Sequence, residues 1–402
     1  MRIQNPYVIL GLLSGLNLVN YIDRQLVPAV GPKLQAELGL SDAQFGLVST
    51  AFMLGYCLTS PFFGVLGDRR PRRTLIALGV AIWSVATAAS GIARSFATLI
   101  AARVVVGVGE ASYATLAPTI IDDLAKPEVK NRWLGIFYVA IPVGSAIGYL
   151  LGGNLEHAFG WRSVFFIVGW PGILLAALVL LVSEPARAPR ERADTSAAMF
   201  SKLAKIPVYR DAVIGYVAQT FAVGGFGVWA PTYLYRHYGM ELKTANLWFG
   251  VILVVTGLLA TFVGAQLGDR LRGADRARVN LRLCAVTTLI GAPFAALCFL
   301  TSSPVVFFIG IGVAEFAIFL STSPINVVIL QSVPEELRAS AMAMSIFAIH
   351  LLGDMISPTL IGLISGASSL QTAMLILPIA LAIAAFSWWR GSIPRRVIKA
   401  TP

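Results

Sequence analysis

Four ionisable residues interrupt apolar stretches of the sequence. Asp23 and Arg24 interrupt one such stretch, and Arg103 and Glu110 lie seven residues apart in another. An ionised group inside a membrane is costly, so it persists only where it faces protein, water or an opposite charge. Arginines can bind phosphate or carboxylate groups, and carboxylates can exchange protons. These residues predict a site for an anionic group and for protons, with a static salt bridge between two helices as the alternative.

Helix geometry places these four charges near one another. Asp23 lies about seven residues, or ~10 Å, from the outer end of its stretch, and Arg103 about five residues, or ~8 Å, from the outer end of its own. The two can therefore face each other at one depth. Glu110 lies two turns deeper, on the same face as Arg103. An ion pair there favours the carboxylate and desolvation favours the acid, so protonation can change as the surroundings open and close.

Further polar and aromatic residues in apolar stretches are candidates for the same site. In the second half, His350 and Asp354 lie one helical turn apart, where the histidine can donate to the carboxylate as a structural pair or as a proton relay. The other candidates are spread along the chain: Asn20, Tyr21, Tyr113, Gln219, Phe226, Trp229, Glu315 and Asn326. For each aromatic residue, packing between helices is the alternative.

The composition requires a membrane to position these residues. Of the 402 residues, 57% are hydrophobic and 13% are charged, and apolar stretches long enough to cross a hydrocarbon core of about 30 Å recur along the chain. Helices are predicted, because they satisfy their own backbone hydrogen bonds in lipid. The twelve stretches are 7–30, 43–67, 74–94, 98–123, 133–155, 163–183, 212–235, 244–267, 280–300, 304–331, 339–365 and 371–389. The predicted fold is an all-α membrane protein with twelve transmembrane helices.

The positive charges predict the orientation of the chain. Of the 31 Lys and Arg residues, Arg24 and Arg103 lie within the membrane, and nearly all others lie on one side of it. The exceptions on the opposite side are Lys33, Arg94, Arg162, Arg236 and Lys243. Cationic loops stay in the cytoplasm, so we expect both termini there, with the chain in the inner (plasma) membrane. The net charge of +11 then faces anionic lipid headgroups, and nucleic acid is not an expected partner.

The chain is internally duplicated. Its longest polar stretch, 184–211, is predicted to be a cytoplasmic linker between two six-helix bundles, 1–183 and 212–402. The sequence Leu-Gly-Asp-Arg at 66–69 recurs at 267–270, an offset of 201 residues, and basic residues follow both copies. Parallel repeats are typical of transporters whose two halves rock about a central site. We expect pseudo-two-fold symmetry between the bundles and a cavity between them.

The first copy of this motif resembles the signature loop of the major facilitator superfamily. Residues 64–73 read Gly-Val-Leu-Gly-Asp-Arg-Arg-Pro-Arg-Arg, whereas the second copy has alanine at the first position. The resemblance implies a gate whose charges lock the cytoplasmic ends of neighbouring helices in one state. Its residues would be Gly64, Gly67, Asp68, Arg69, Arg72, Arg73, Asp269 and Arg270. Physically, the acid can cap a helix N-terminus or pair with an arginine. A loop whose charges only set topology is the alternative.

Four stretches resemble the Spinster family of lipid transporters in particular. They are 20–24 (NYIDR), 103–113 (RVVVGVGEASY), 137–149 (FYVAIPVGSAIGY) and 350–358 (HLLGDMISP). The resemblance implies export or release of amphipathic lipids, such as sphingosine-1-phosphate or lysophospholipids, by alternating access. Carried over by position, Asp23, Arg24, Arg103 and Glu110 would form a headgroup and proton-sensitive site. The third stretch lacks the Gly-Pro dipeptide of the superfamily's antiporters, so obligatory exchange is not implied.

Other function classes lack their motifs in this sequence. No Gly-x-x-x-x-Gly-Lys-Ser/Thr loop occurs, so transport driven by ATP is not expected. No catalytic grouping or Gly-x-Ser-x-Gly elbow occurs, which disfavours a membrane enzyme or a scramblase. The cysteines are isolated, and no cofactor or metal is expected. The sequence therefore favours a lipid transporter that acts as a monomer. A transporter of drugs, sugars or organic anions on the same fold is the alternative.

Overall fold

The chain is built almost entirely from helices. The computed structural model describes residues 2–126, 128–185, 196–271, 273 and 275–394. The helices are α1 Pro6–Leu38, α2 Asp42–Arg69, α3 Arg72–Gly91, α4 Phe96–Leu124, α5 Lys130–Phe159, α6 Trp161–Leu180, α7 Ala197–Ala204, α8 Pro207–Tyr238, α9 Leu242–Arg270, α10 Arg276–Leu300, α11 Pro304–Leu320, α12 Thr322–Gln331, α13 Arg338–Ile349, α14 Ser357–Ala367, α15 Leu370–Met374 and α16 Ile376–Ser392. A 3₁₀ turn at Glu335–Leu337 precedes α13, and a π-helix at His350–Asp354 follows it. The predicted all-α class is confirmed.

Eleven helical stretches of the described residues are long and apolar enough to cross a membrane. Three of them combine consecutive short helices: Pro304–Gln331, Glu335–Ala367 and Leu370–Ser392. Helix α1 is the twelfth candidate. It has 33 residues, which is ample length, but polar residues such as Asn17, Asn20 and Asp23 lower its mean hydropathy. The charged cluster predicted from the sequence is therefore built into the least apolar of the predicted spans.

Short turns with ordinary end signals connect the first helices. Ser41 and Gln44 form a capping box that begins α2, and Ser95 and Thr98 form one that begins α4. Gly39 ends α1 in the left-handed region at φ 62°, which a glycine adopts at little cost. We call the end of the helices at which α1 meets α2 the loop-1 end, and the opposite end, at which α2 meets α3, the loop-2 end.

Glycines on α5 fix the position of α1. A Cβ atom at Gly144 would lie 2.8 Å from the Leu18 carbonyl oxygen, and one at Gly148 would lie 2.7 Å from the Ile22 carbonyl oxygen. The four-residue spacing places both glycines on one face of α5, so the two backbones pack directly against each other. The segment of α1 that carries Asp23 and Arg24 is thereby held by backbone contact.

The helices form two packing units. The first comprises Met1–Arg190, Gly224–Val255 and Asp354–Met374, and its core includes Trp83, Tyr113 and Phe137. The second comprises Glu191–Val223, Thr256–Gly353 and Leu375–Pro402, and its core includes Tyr209, Leu281 and Trp388. These two units are defined by which residues contact each other. The predicted division into 1–183, 184–211 and 212–402 was based on the internal repeat, and it stays a prediction. Residues 186–195 of the predicted linker lie outside the described residues.

Candidate functional site

The four predicted charged residues lie together in the first unit, on α1 and α4. Nε of Arg24 lies 2.8 Å from Oε2 of Glu110, and Nη1 of Arg103 lies 3.5 Å from Oδ1 of Asp23. The side chains of Asp23, Arg103 and Glu110 are at most 3% exposed, and that of Arg24 is 15% exposed. Neighbouring residues of α1 thus pair with residues two turns apart on α4. The arrangement is a buried pair of ion pairs.

Aromatic rings enclose the two arginines. The guanidinium carbon of Arg24 lies 4.8 Å from the ring centre of Tyr21, 5.2 Å from that of Phe52 and 5.0 Å from that of Tyr56. The guanidinium carbon of Arg103 lies 5.1 Å from the ring centre of Phe52. Aromatic faces attract cations, more strongly where water is excluded. The rings therefore stabilise the two cations in addition to their carboxylate partners.

The aromatic shell depends on a close crossing of α2 and α4. A Cβ atom at Gly55 would collide with the backbone of Val104, and one at Gly107 would collide with the backbone of Phe52. The two glycines therefore let the helix backbones touch. This crossing places Phe52 beside Arg103, and Tyr56, one turn later on α2, faces the same side.

Several buried polar atoms of the cluster are incompletely paired. The hydroxyl of Thr87 on α3 donates a hydrogen bond to Oδ2 of Asp23. Among the described residues, Oδ1 of Asp23, Nε and Nη1 of Arg103, Oε1 of Glu110 and Nδ2 of Asn20 have no hydrogen-bond partner. The contact between Asp23 and Arg103 is therefore an ion pair without hydrogen-bond geometry. A buried unpaired polar group costs about 1–3 kcal/mol, so this geometry suits a further polar group or a proton.

The aromatic candidates of the first unit lie in helix packing. The Tyr113 hydroxyl donates to the Leu13 carbonyl, and its ring centre lies 5.6 Å from that of Trp83. The Trp229 indole donates to the Pro358 carbonyl over 3.0 Å, and its side chain is fully buried. Phe226 is 3% exposed. The polar atoms of Tyr113 and Trp229 are thus engaged by backbone carbonyls.

Three candidates lie in the second unit and are engaged locally. Nε2 of Gln219 donates to the Ile318 carbonyl over 2.8 Å, and Nδ2 of Asn326 donates to the Thr322 carbonyl over 2.9 Å. Glu315 is buried, and its Oε2 lies 3.2 Å from the Thr256 hydroxyl. No arginine or lysine of the described residues forms an ion pair with Glu315. It differs in this respect from Asp23 and Glu110.

The α-helical spacing assumed for His350 and Asp354 was wrong. Residues 350–354 form a π-helix, whose turn is wider than that of an α-helix. A Cβ atom at Gly353 would lie 3.1 Å from the Val217 carbonyl oxygen, so the backbone approaches α8 closely at this bulge. Periodicity along the sequence cannot reveal a local extra residue of this kind. A functional role for the pair stays a prediction.

The first copy of the duplicated motif makes a buried charge network through Arg72. This residue begins α3 and is 3% exposed. Its Nη1 lies 2.6 Å from Oδ2 of Asp123, and its Nε lies 3.1 Å from Oε1 of Glu184. Arg73 donates to the Val182 carbonyl over 3.0 Å. The motif thus ties α3 to the loop-2 ends of α4 and α6, through acids that the sequence analysis had not singled out.

The motif acids themselves are exposed at the loop-2 end. Asp68 and Arg69 end α2, and the N-cap position of α3 is Pro71, without a side-chain hydrogen bond. Asp68 is therefore not the N-cap residue of α3. That it caps another helix or pairs with an arginine stays a prediction. In the second copy, Asp269 accepts a hydrogen bond of 2.6 Å from Arg276, and Arg270 is exposed.

The motif glycines differ in their surroundings. Gly67 is buried, and a Cβ atom there would collide with the Leu116 side chain. Gly64 has more room, since a Cβ atom there would lie 3.9 Å from its nearest neighbour. Gly67 therefore permits close packing between α2 and α4, and the gating role of both glycines stays a prediction.

A polar cluster at the loop-1 end was missed by the sequence analysis. Nη1 of Arg236 donates to both carboxylate oxygens of Asp42 at 2.9 Å each, and its Nη2 donates to Gln35 over 2.9 Å. Gln35 and Ser365 also donate to Asp42. We call these four residues the Asp42 cluster. It joins α1 and α2 to α8 and α14, and the sequence signal was Arg236, one of the few cations placed at this end.

Eleven apolar helical stretches among the described residues, with ion pairs buried between α1 and α4, are typical of a multi-pass membrane transporter. Comparisons with known proteins agree with this class. The family model described as Major Facilitator Superfamily matches residues 13–353. The chain is 35% identical over 389 residues to the sphingosine-1-phosphate transporter SPNS2 of Danio rerio, covering 91% of this chain and 77% of that protein. It is 30% identical over 445 residues to a probable sphingolipid transporter, spinster homolog 1, of Arabidopsis thaliana, covering 97% and 89%.

Solved structures agree on the fold. A bacterial homolog of the human lysosomal transporter Spinster, in an inward-facing and unoccupied conformation, superposes with a TM-score of 0.84 at 24% identity, covering 96% of this chain and 97% of that one. A D-xylose–proton symporter superposes with a TM-score of 0.79 at 18% identity, covering 96% and 97%. The chain therefore belongs to the major facilitator superfamily and, within it, to the Spinster family. It is a transporter and not an enzyme, as the sequence predicted.

Proposed function

We propose that this chain transports single-chain amphipathic lipids with a phosphate or zwitterionic headgroup, such as sphingosine-1-phosphate or a lysophospholipid. The observation that carries the proposal is the buried cluster of Asp23, Arg24, Arg103 and Glu110 with its unpaired polar atoms. The arginines can hold a headgroup by charge-assisted hydrogen bonds. The relatives described as sphingosine-1-phosphate and sphingolipid transporters support the same substrate class.

We propose that the cluster binds the headgroup by an exchange of ion-pair partners, in which the phosphate replaces the carboxylates at the two arginines. An arriving phosphate is an anion, and it competes with Asp23 for Arg103 and with Glu110 for Arg24. Each carboxylate that loses its arginine in a buried site is stabilised by taking up a proton. Headgroup binding and protonation are therefore linked, because both act on the same ion pairs. This linkage fits two kinds of transport. If lipid moves without protons, the linkage makes its transport rate depend on pH. If protons move with the lipid, the same exchange of ion-pair partners couples the two.

The movement proposed for this transport is alternating access between two six-helix bundles, 1–183 and 212–402, joined by the linker 184–211. The internal repeat supports the division. The bundles are taken to expose the charged cluster first to one side of the membrane and then to the other. The exposed motif acids Asp68 and Asp269 stand where a lock at the loop-2 end would act.

The proposed orientation places the loop-2 end and both termini in the cytoplasm and the chain in the inner (plasma) membrane. It follows from the distribution of lysine and arginine. A cysteine at position 302, between α10 and α11, should react with an impermeant thiol reagent on intact cells, whereas a cysteine at position 70 should react only after the membrane is opened. The reverse pattern would overturn the orientation.

The pH dependence of transport tests the proton-sensitive part of the proposal. Glutamine at position 110 mimics a permanently protonated glutamate. Glu110→Gln should therefore weaken the dependence of the transport rate on pH, with Asp23 as the carboxylate that still titrates. Asp23→Asn should weaken the pH dependence to a similar degree, and the asparagine can still accept the hydrogen bond from Thr87. The measurement is transport of a phosphate-bearing lysolipid into proteoliposomes over a series of pH values on both sides of neutrality.

The experiment has one outcome that would contradict the proposal and one matched control. Folded Glu110→Gln and Asp23→Asn proteins that keep the unmodified pH profile would reduce the cluster to a static salt bridge. The matched control is Glu37→Gln, because Glu37 also pairs with an arginine but lies at the loop-1 end with its side chain 52% exposed. This control should leave the profile unchanged.

A further inference from the structure

A groove lies on the surface of the first unit between α3 and α4, away from the charged cluster. Its volume is about 750 Å³, within the range of ligand pockets. Large exposed side chains border it, Leu78 at one end and Ile92 at the other, with Val85 between them. Alanines such as Ala89 and Ala101 line it as well, and their short side chains leave the space open. The lining is thus almost wholly apolar.

The length of the groove fits an acyl chain better than a compact solute. Leu78 and Ile92 are separated by 14 positions on α3, which corresponds to ~21 Å of helix. One leaflet contributes about half of a hydrocarbon core of ~30 Å. The groove therefore runs from the loop-1 end through the full depth of one leaflet. A lipid chain anchored at that end can occupy its whole length.

A cation without an ion-pair partner among the described residues, Arg94, lies at the loop-1 end of the groove. Arg94 is exposed and lies between the lining residues Ala93 and Thr98. No aspartate or glutamate occurs from residue 72 to residue 109, so neither helix offers Arg94 a carboxylate near the groove. The neighbouring cation Arg162, which donates to the Ala93 carbonyl, is already paired with Glu37. Arg94 makes no ion pair with any described residue, so its charge complements an anionic headgroup.

We propose that the groove between α3 and α4 is a binding site for a membrane phospholipid, with one acyl chain along the alanines and its phosphate at Arg94. The site differs from the proposed transport site, because the same helices turn another face to the cluster. Ala86 lines the groove and the next residue, Thr87, binds Asp23; likewise Ala102 lines it and is followed by Arg103. The occupant is a resident lipid of the leaflet at the loop-1 end.

Photolabelling and native mass spectrometry of the full chain test this proposal. The protein is purified in detergent, depleted of lipid and titrated with phosphatidylglycerol that carries a photoreactive group on its acyl chain. Adducts should concentrate in peptides from 78 to 105. Ala101→Phe fills the groove and should weaken binding at least about tenfold, because several buried methylenes are displaced. Arg94→Gln should weaken it about fivefold, as expected for one cation near a headgroup.

Matched control substitutions distinguish a specific binding site in the groove from nonspecific contact with lipid. Ala382 on α16 is an exposed alanine outside the groove, and Lys243 is another cation at the loop-1 end. Ala382→Phe and Lys243→Gln should leave the affinity unchanged. Equal effects of Ala101→Phe and Ala382→Phe, or adducts spread evenly over the lipid-facing helices, would overturn the proposal. Monodisperse elution and unchanged thermal unfolding establish that each variant is folded. Lysolipid transport by Ala101→Phe is measured in parallel, since retained transport with lost lipid distinguishes the groove from the transport site.

Discussion

Arg24→Ala is expected to abolish transport of a phosphate-bearing lysolipid and to destabilise the protein. The substitution removes the partner that lies 2.8 Å from Glu110, whose side chain is fully buried. Removing one member of a buried pair typically costs about 3–5 kcal/mol, because the other charge is left uncompensated. It also removes the cation that Tyr21 and Tyr56 enclose. The measurements are thermal unfolding in detergent and initial transport rates in proteoliposomes.

The double variant Arg24→Ala with Glu110→Gln separates stability from function. No uncompensated charge remains in it, so thermal stability should return toward that of the unmodified protein. Transport should stay lost, because the cation that holds the headgroup is absent. Recovery of transport together with stability would show that the ion pair only supports packing.

The same double-mutant cycle on Asp23 and Arg103 tests the second ion pair. Arg103→Ala should reduce the affinity for a phosphate-bearing lysolipid more than the affinity for a neutral analogue with the same tail.

Asp42→Asn is expected to shift the conformational equilibrium of the transporter about tenfold or more. The carboxylate of Asp42 accepts from Arg236, Gln35 and Ser365, and its side chain is 13% exposed. Hydrogen bonds to charged groups contribute about 1.5–3 kcal/mol each. The Asp42 cluster joins α1 and α2 to helices of the second half of the chain. Under alternating access, such a contact can exist only in states with the loop-1 end closed.

Distances between spin labels measure this shift. Labels at positions 92 and 302, at the loop-1 ends of α3 and α10, report on the two halves in a variant without its three native cysteines. Asp42→Asn and Arg236→Gln should both increase the population with the longer distance. The control is Glu37→Gln, because Glu37 and its partner Arg162 both lie in the first six helices, which move together in this mechanism. Equal changes in the distance distribution for Asp42→Asn and Glu37→Gln would show that the Asp42 cluster does not stabilise the state with the loop-1 end closed.

The sequence predicts the helical architecture because lipid leaves few alternatives. The long apolar stretches and the repeated motif suffice to predict twelve spans. The charged residues on α1 and α4 are detectable for the same reason, since charge is rare inside hydrocarbon. Helix periodicity also places Arg103 and Glu110 on one face. Their pairing with Asp23 and Arg24 follows once α1 and α4 lie side by side.

Contacts set by tertiary packing were not predictable in this way. In the sequence, Thr87 is one small residue in an apolar stretch, and only the fold, which brings this part of α3 to α1, shows that it binds Asp23. Phe52 meets the arginines because glycines let α2 approach α4. The partners of Arg72 are distant in sequence, and nothing in their local pattern distinguishes them. The π-helix at 350–354 adds a residue to a helical turn, which breaks the periodicity on which sequence reasoning depends.

The most direct test of the proposed function is a comparison of substrates with purified protein in proteoliposomes. Unmodified protein is assayed with a lysophospholipid, sphingosine-1-phosphate, D-xylose and a small organic anion, and the folded double variant Arg24→Ala with Glu110→Gln corrects for passive movement of lipid. The proposal predicts that at least one of the two single-chain lipids moves faster with the unmodified protein than with the double variant, while neither polar solute does. Movement of a polar solute without movement of either lipid would contradict it and support a transporter of small polar solutes on the same fold.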